Sequence, residues 1–121
     1  MKNKRIMIIG GTGALGKQLT NRWDVDNDIL IFSRNEHKQE DMKRIYPKPL
    51  YRIGDVKDKE SILRSMYEFK PDVIVNTAAL KTVWVAQDNP YETILTNIVG
   101  HQYLIDCVRE CRHQIESLMF I

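Results

Sequence analysis

The stretch Ile9-Gly-Gly-Thr-Gly-Ala-Leu-Gly-Lys-Gln-Leu19 holds four of the chain's six glycines. It follows the apolar run Ile6-Met-Ile-Ile9 and leads into a segment where Leu15, Leu19 and Trp23 recur every four residues. The run reads as a buried strand, and the recurrence reads as one face of a helix. A strand that turns through glycines into a helix has two readings. Either the turn is only tight, or something approaches the backbone closely enough that side chains are excluded.

Outward from this unit, strand and helix signals alternate. The pattern predicts strands over 5–10, 29–32, 51–56, 73–76 and from Glu116 onward. It predicts helices over 14–23, 35–45, from Asp58 to Phe69, and from Asn89 to about Cys111. Pro47 and Pro49 end the second helix. Asp58 is placed to cap the third, whose inward face is Ile62, Leu63, Met66 and Phe69. Asn89, Pro90 and Glu92 form a helix start of the capping-box kind. Alternation of this kind with near-continuous apolar strands implies a parallel sheet covered on both faces. The expectation is one α/β domain over 1–121, doubly wound and Rossmann-type, with strand order 3-2-1-4-5 and truncated after the fifth strand. The glycine turn then lies beside the point where strand order reverses.

Bulk composition narrows the function classes. At 121 residues, 43% hydrophobic and 28% charged, the chain reads as a soluble globular domain. A net charge of +2, spread rather than clustered, argues against a nucleic-acid partner. Met1-Lys-Asn-Lys-Arg5 is basic, but the apolar run behind it is too short for a secretory signal, and no stretch is long enough for a membrane span. Cys107 and Cys111 lie one helical turn apart and read as reduced thiols of a cytoplasmic protein. His113 is close enough to make a metal site conceivable, but no second ligand pair accompanies it, so the expected metal set is empty.

Gly10, Gly13 and Gly16 are spaced G-x-x-G-x-x-G, a variant of the dinucleotide fingerprint. Gly10 permits the tight turn, Gly13 leaves room for a pyrophosphate at the helix N-terminus, and Gly16 allows the helix to pack closely. At the tip of the second strand, Phe32-Ser33-Arg34-Asn35 carries no acid to accept the ribose 2′-hydroxyl of NAD. Arg34 can fork onto a 2′-phosphate, with Ser33 donating a hydrogen bond and Lys38 adding charge. This favours NADP over NAD; the plain alternative is a surface cation. Asp55, after the third strand, is placed for the adenine amino group and Val56 for the adenine ring, although Asp55 also suits a simple turn. The small residues of Asn76-Thr77-Ala78-Ala79 leave room for ribose and nicotinamide.

Five segments occur in one order: "GGTGALG", "FSRNEHKQ", "GDVKDKES", "NTAALKTV" and "NPYETILTNIVG". Together they resemble the N-terminal part of extended short-chain dehydrogenases acting on nucleotide sugars. The nearest branch is that of polysaccharide biosynthesis, the inverting UDP-N-acetylglucosamine 4,6-dehydratases and related epimerases. The resemblance covers nearly all of 4–121. It implies that Gly10, Thr12, Gly13, Ala14, Leu15 and Gly16 form the pyrophosphate turn, and that Ser33, Arg34 and Lys38 hold the adenosine 2′-phosphate. It places Asp55 and Val56 at adenine, and Ala78, Ala79 and Lys81 beside the nicotinamide ribose and the substrate mouth. Thr96 and Asn97 would lie on the helix that buttresses the site, and the helix starting near Pro90 would help form a homo-oligomer interface. The implied partner is a nucleotide sugar, most simply a UDP-sugar.

In the resembled family, hydride leaves C4 of the sugar while a tyrosine phenolate, its pKa lowered by a lysine four residues on, takes the hydroxyl proton. The dehydratases then lose water across C5 and C6 and return the hydride to C6. None of Tyr46, Tyr51, Tyr67, Tyr91 and Tyr103 is followed by Lys at that spacing, so no catalytic residue is expected within this chain. Trp84 and Gln87 stand where the family has Pro and, a few residues on, Glu, which leaves the sugar open. Trp84 reads more simply as packing. Two further functional readings stand beside this one: a ketoreductase of the dTDP-4-dehydrorhamnose reductase kind, which "PDVIVNTAA" fits equally well and "SRNEHKQ" less well, and a non-catalytic NADP-binding module, supported by the missing Tyr-Lys pair.

Overall fold

The computed structural model describes residues 1–78, 100–111 and 115–121. Five parallel strands form one sheet: β1 (Arg5–Ile9), β2 (Asp28–Ser33), β3 (Leu50–Ile53), β4 (Val73–Asn76) and β5 (Ser117–Phe120). Their order is β3-β2-β1-β4-β5, the order that the alternation of elements predicts. Four helices are described: α1 (Ala14–Trp23), α2 (Glu36–Ile45), α3 (Lys59–Phe69) and α4 (Gly100–Cys111). The predicted start of the last helix, with Asn89, Pro90 and Glu92, lies outside the described residues, as do Trp84, Gln87, Thr96, Asn97 and His113.

The two-residue period of each strand builds the two halves of the core. On one face Met7, Ile9, Leu30, Phe32 and Ile74 pack with Ile62, Met66 and Phe69 of α3 and Leu104, Cys107 and Cys111 of α4. On the other face Ile6, Ile8, Ile29, Ile31, Val73 and Val75 pack with Met42 of α2, and Leu19 and Trp23 of α1 lie against them half-buried. Half-buried Leu118 of β5 packs against the cluster that holds Leu104. His101 is half-buried, with its ring 4.5 Å from that of Phe120; burial lowers its pKa.

Capping fixes the helix starts. Asn35 accepts a hydrogen bond from the Lys38 amide at 3.0 Å, and Asp58 accepts one from the Ser61 amide at 3.3 Å. α3 ends at Lys70, which is left-handed at φ 54°, and Pro71 follows. Both cysteines are free and buried: Cys107 Sγ lies 3.6 Å from the Lys59 carbonyl, and burial pushes its thiol up to about 12. Among the described residues no helix is long and apolar enough to cross a membrane, and no group of His, Cys, Asp and Glu is arranged to hold a metal ion.

Two details differ from the sequence pattern. β3 ends at Ile53 rather than Val56. The Gly54 amide still bonds the Ser33 carbonyl at 2.9 Å, but a turn closed by Asp58 N donating to Asp55 O follows at once. A Cβ at Gly54 would lie 2.4 Å from the Phe32 ring, so glycine is needed where the chain leaves the sheet. The fully buried face of α1 is Gly16 and Thr20, with Leu15, Leu19 and Trp23 only half-buried beside it.

Ile74 is fully buried in the central sheet, whereas Val25 is 83% exposed. Ile74→Ala should lower the unfolding free energy by about 2–5 kcal/mol, and Val25→Ser should change it by less than about 0.5 kcal/mol. Urea denaturation followed by circular dichroism measures both; equal effects would contradict this core.

Candidate functional site

The parallel register brings four strand ends to one edge. Ile9 pairs with Phe32 on one side and Asn76 on the other, and Ser33 pairs with Ile53. Every turn that leaves these strands therefore starts at the carboxyl edge of the sheet, around the switch point between β1 and β4.

The first turn is held from three sides. Gly10 has φ +76°, and a Cβ there would lie 2.9 Å from Ala78 Cα, Ala78 N and Thr77 Oγ1. The Gly10 amide bonds the Phe32 carbonyl at 2.8 Å. Thr77 Oγ1 lies 2.8 Å from the Ile9 carbonyl and 3.0 Å from the Gly10 carbonyl, sharing its proton between them. Gly11 lies against Ile31, 2.9 Å from an added Cβ. Gly16 lies against Gly11, whose backbone would be 2.4 Å from an added Cβ. Close approach of α1 is thus to the turn itself.

Gly13 is different. Among the described residues, an added Cβ would meet nothing nearer than the Gly10 carbonyl oxygen at 3.5 Å, and its φ of −75° suits any residue. It is the N-cap of α1, yet it offers no side-chain cap. The first helical bond runs from Lys17 N to Gly13 O, so the amides of Ala14, Leu15 and Gly16 precede it. Unpaired amides and the positive end of the helix dipole suit an anion. Thr12 is buried beside them, and Gly13 and Ala14 are exposed.

The rim is built at the tips of β2 and β3. Ser33 is buried, and Arg34 projects with its side chain 56% exposed. Arg34 Nη1 lies 3.9 Å from Asp55 Oδ2, and Lys57 Nζ lies 3.8 Å from the same oxygen. The Lys57 amide holds the other oxygen at 3.0 Å. Asp55 is therefore flanked by two cations, and its charge is offset at the rim. Val56 is only 6% exposed and belongs to the core, so little of its side chain is left to offer a ligand. Lys38 is exposed on the first turn of α2. Ala78 is half-buried, with its amide bonded to Asn76 Oδ1 at 2.9 Å; Ala79 and Lys81 lie outside the described residues.

Three contributors have weak sequence signals. Gly11 is hidden in a glycine run whose spacing directs attention to its neighbours. Thr77 reads as a small residue at a strand end, though its hydroxyl pins the turn. Gln39 is a polar residue in the polar helix α2, yet it is buried: Nε2 donates to Ser33 Oγ at 2.9 Å and to the Arg52 carbonyl at 2.7 Å.

The sequence pattern of one family, described as "Polysaccharide biosynthesis protein", matches residues 6–121. The chain belongs to this family. A UDP-N-acetylglucosamine 4,6-dehydratase (inverting) of Campylobacter jejuni is 42% identical over 112 residues, covering 88% of this chain and 33% of that protein. A UDP-glucose 4-epimerase of Rickettsia felis is 40% identical over 111 residues, covering 85% of this chain and 32% of that protein. The chain thus spans about one third of the length of the curated relatives it matches. Pen from Bacillus thuringiensis superposes with a TM-score of 0.89 at 30% identity, over 98% of this chain and 37% of that one. Bordetella bronchiseptica WbmG, solved in complex with NAD, shares the fold at a TM-score of 0.84 and 23% identity, over 98% of this chain and 37% of that one.

The glycines should separate by stability. Gly10→Ala should cost about 1–3 kcal/mol, because both the backbone conformation and the contact with Ala78 oppose it. Gly13→Ser should change stability by less than about 0.5 kcal/mol, since serine is a good N-cap. Thermal unfolding of the two variants checks this; a large loss at Gly13 would mean that the turn itself requires glycine there.

Proposed function

We propose that this chain is the NADP-binding portion of a nucleotide-sugar 4,6-dehydratase or epimerase of polysaccharide biosynthesis, acting on a UDP-sugar. The observation that carries the proposal is Gly13: the packing of the described residues accounts for Gly10, Gly11 and Gly16 but gives no reason for this glycine, and a bound ligand would supply one. A pyrophosphate fits a helix start with free amides and no Cβ in the way. The relatives named for UDP-sugars supply the substrate class, and the family supplies the pathway.

In this account the amides of Ala14 and Leu15 bind the pyrophosphate against the bare backbone of Gly13, with Gly10, Thr12 and Gly16 shaping the turn. Ser33 and Arg34 bind the 2′-phosphate, and Lys38 adds positive charge. Asp55 accepts a hydrogen bond from the adenine amino group while Lys57 offsets its charge, and Val56 closes the floor beneath adenine. Ala78, Ala79 and Lys81 border the nicotinamide ribose. When bound, the nicotinamide supplies the acceptor for hydride from sugar C4. This chain's own share is binding and orientation, and none of its residues is assigned to proton transfer.

Titration calorimetry with NADPH and NADH tests the assignment. The chain should bind NADPH more tightly than NADH. Arg34→Ala should weaken NADPH by about ten- to a hundredfold, the worth of one or two charge-assisted hydrogen bonds, and NADH by less than about threefold. Gly13→Val should abolish binding of both while circular dichroism still reports a folded chain. Equal losses in Arg34→Ala would remove the 2′-phosphate assignment, and full affinity in Gly13→Val would remove the pyrophosphate assignment.

A further inference from the structure

Gln39 is 3% exposed in a helix whose other residues, apart from Met42, are not buried. Its side-chain nitrogen lies 2.7 Å from the Arg52 carbonyl, 2.9 Å from Ser33 Oγ and 3.4 Å from the Ser33 carbonyl. Two carbonyl oxygens facing the same atom require that atom to be the NH₂ end of the amide. It has two protons. The shorter contacts take them, one to Arg52 O and one to Ser33 Oγ.

This fixes what Ser33 can do. A hydroxyl has one proton and two lone pairs, and an amide nitrogen has no free lone pair to accept from it. Ser33 Oγ therefore accepts from Gln39 and must send its own proton elsewhere. Arg34, the adjacent residue, occupies the rim at this strand tip. A serine already accepting one hydrogen bond is also a better donor, because the bonds polarise each other.

We infer that Gln39 is a positioning residue for cofactor choice: its amide turns the Ser33 hydroxyl into a donor aimed at the 2′-phosphate of NADP. The inference rests on the assignment of Ser33 and Arg34 to that phosphate. A phosphate oxygen only accepts, so a hydroxyl held as a donor matches it and forms a charge-assisted bond. The 2′-hydroxyl of NAD offers a neutral acceptor and gains less. The other proton of the Gln39 amide, given to the β3 carbonyl of Arg52, ties the tips of β2 and β3 together and holds the amide in place.

The experiment is a double-mutant cycle read by calorimetry with NADPH and NADH: the unaltered chain, Ser33→Ala, Gln39→Met and the double variant. Ser33→Ala should lower the NADPH-to-NADH affinity ratio by about tenfold. Gln39→Met should lower the same ratio by about three- to tenfold and have no further effect on it in the Ser33→Ala background. A purely structural Gln39 would weaken both cofactors alike or add its effect independently of Ser33, and either result overturns the inference. An unchanged ratio in Ser33→Ala overturns the phosphate assignment of Ser33 and the inference with it. Should Gln39→Met fail to fold, the side-chain amide signals of Gln39 in the unaltered chain decide by nuclear magnetic resonance. They should shift more with NADPH than with NADH; equal shifts overturn the inference.

Discussion

The contact on which this structure depends is the close approach of the turn after β1 to the end of β4. Thr77 gives its amide to the Ile9 carbonyl at 2.8 Å and shares its hydroxyl proton between the Ile9 and Gly10 carbonyls. Gly10 permits the approach through its positive φ and its missing Cβ. The approach directs the chain across the switch point, seats Gly11 on Ile31 and brings Gly16 of α1 down onto Gly11. Each closure removes a place where a side chain could stand. What remains is the start of α1, where Gly13 is exposed and the amides of Ala14, Leu15 and Gly16 precede the first helical bond.

Polarity is then arranged around that opening by the strand ends. β2 and β3 finish side by side, so Arg34, next to the buried Ser33, meets Asp55 across the gap, and Lys57 approaches the same carboxylate. The buried Gln39 joins the two tips from beneath. An acid at this rim would repel a phosphate if it stood alone; between Arg34 and Lys57 its charge is offset. The chain's membership of the polysaccharide-biosynthesis family stands beside this geometry as the ground of the proposed function.

Much of the fold was legible because long-range order followed from local signals. Apolar runs, four-residue recurrences and the capping residues Asn35 and Asp58 placed the described elements to within a few residues, and right-handed crossovers set the strand order. The glycine spacing located the turn. The remaining details depended on contacts that local patterns do not record. β3 ends early where a turn closed by the Asp58 amide on the Asp55 carbonyl takes over, and the Phe32 ring requires glycine at 54 on the way out. The buried side of α1 is small, Gly16 and Thr20, because the helix rests on backbone; apolar recurrence pointed to Leu15, Leu19 and Trp23 instead. Val56 stands in a polar segment, yet most of its side chain lies in the core. Gln39 could not be told from its polar neighbours, because its burial comes from the β2 and β3 tips meeting over it.

The central claim is that the start of α1 is a cofactor cradle, and the most direct measurement of it is a residue-by-residue map of NADPH binding. In a nuclear magnetic resonance titration of the nitrogen-labelled chain, the account predicts the largest backbone amide shifts at Thr12, Gly13, Ala14 and Leu15. A second cluster should appear at Ser33 and Arg34, and it should be weaker with NADH. Shifts centred elsewhere on the sheet, or a turn that stays silent while NADPH binds, would contradict it.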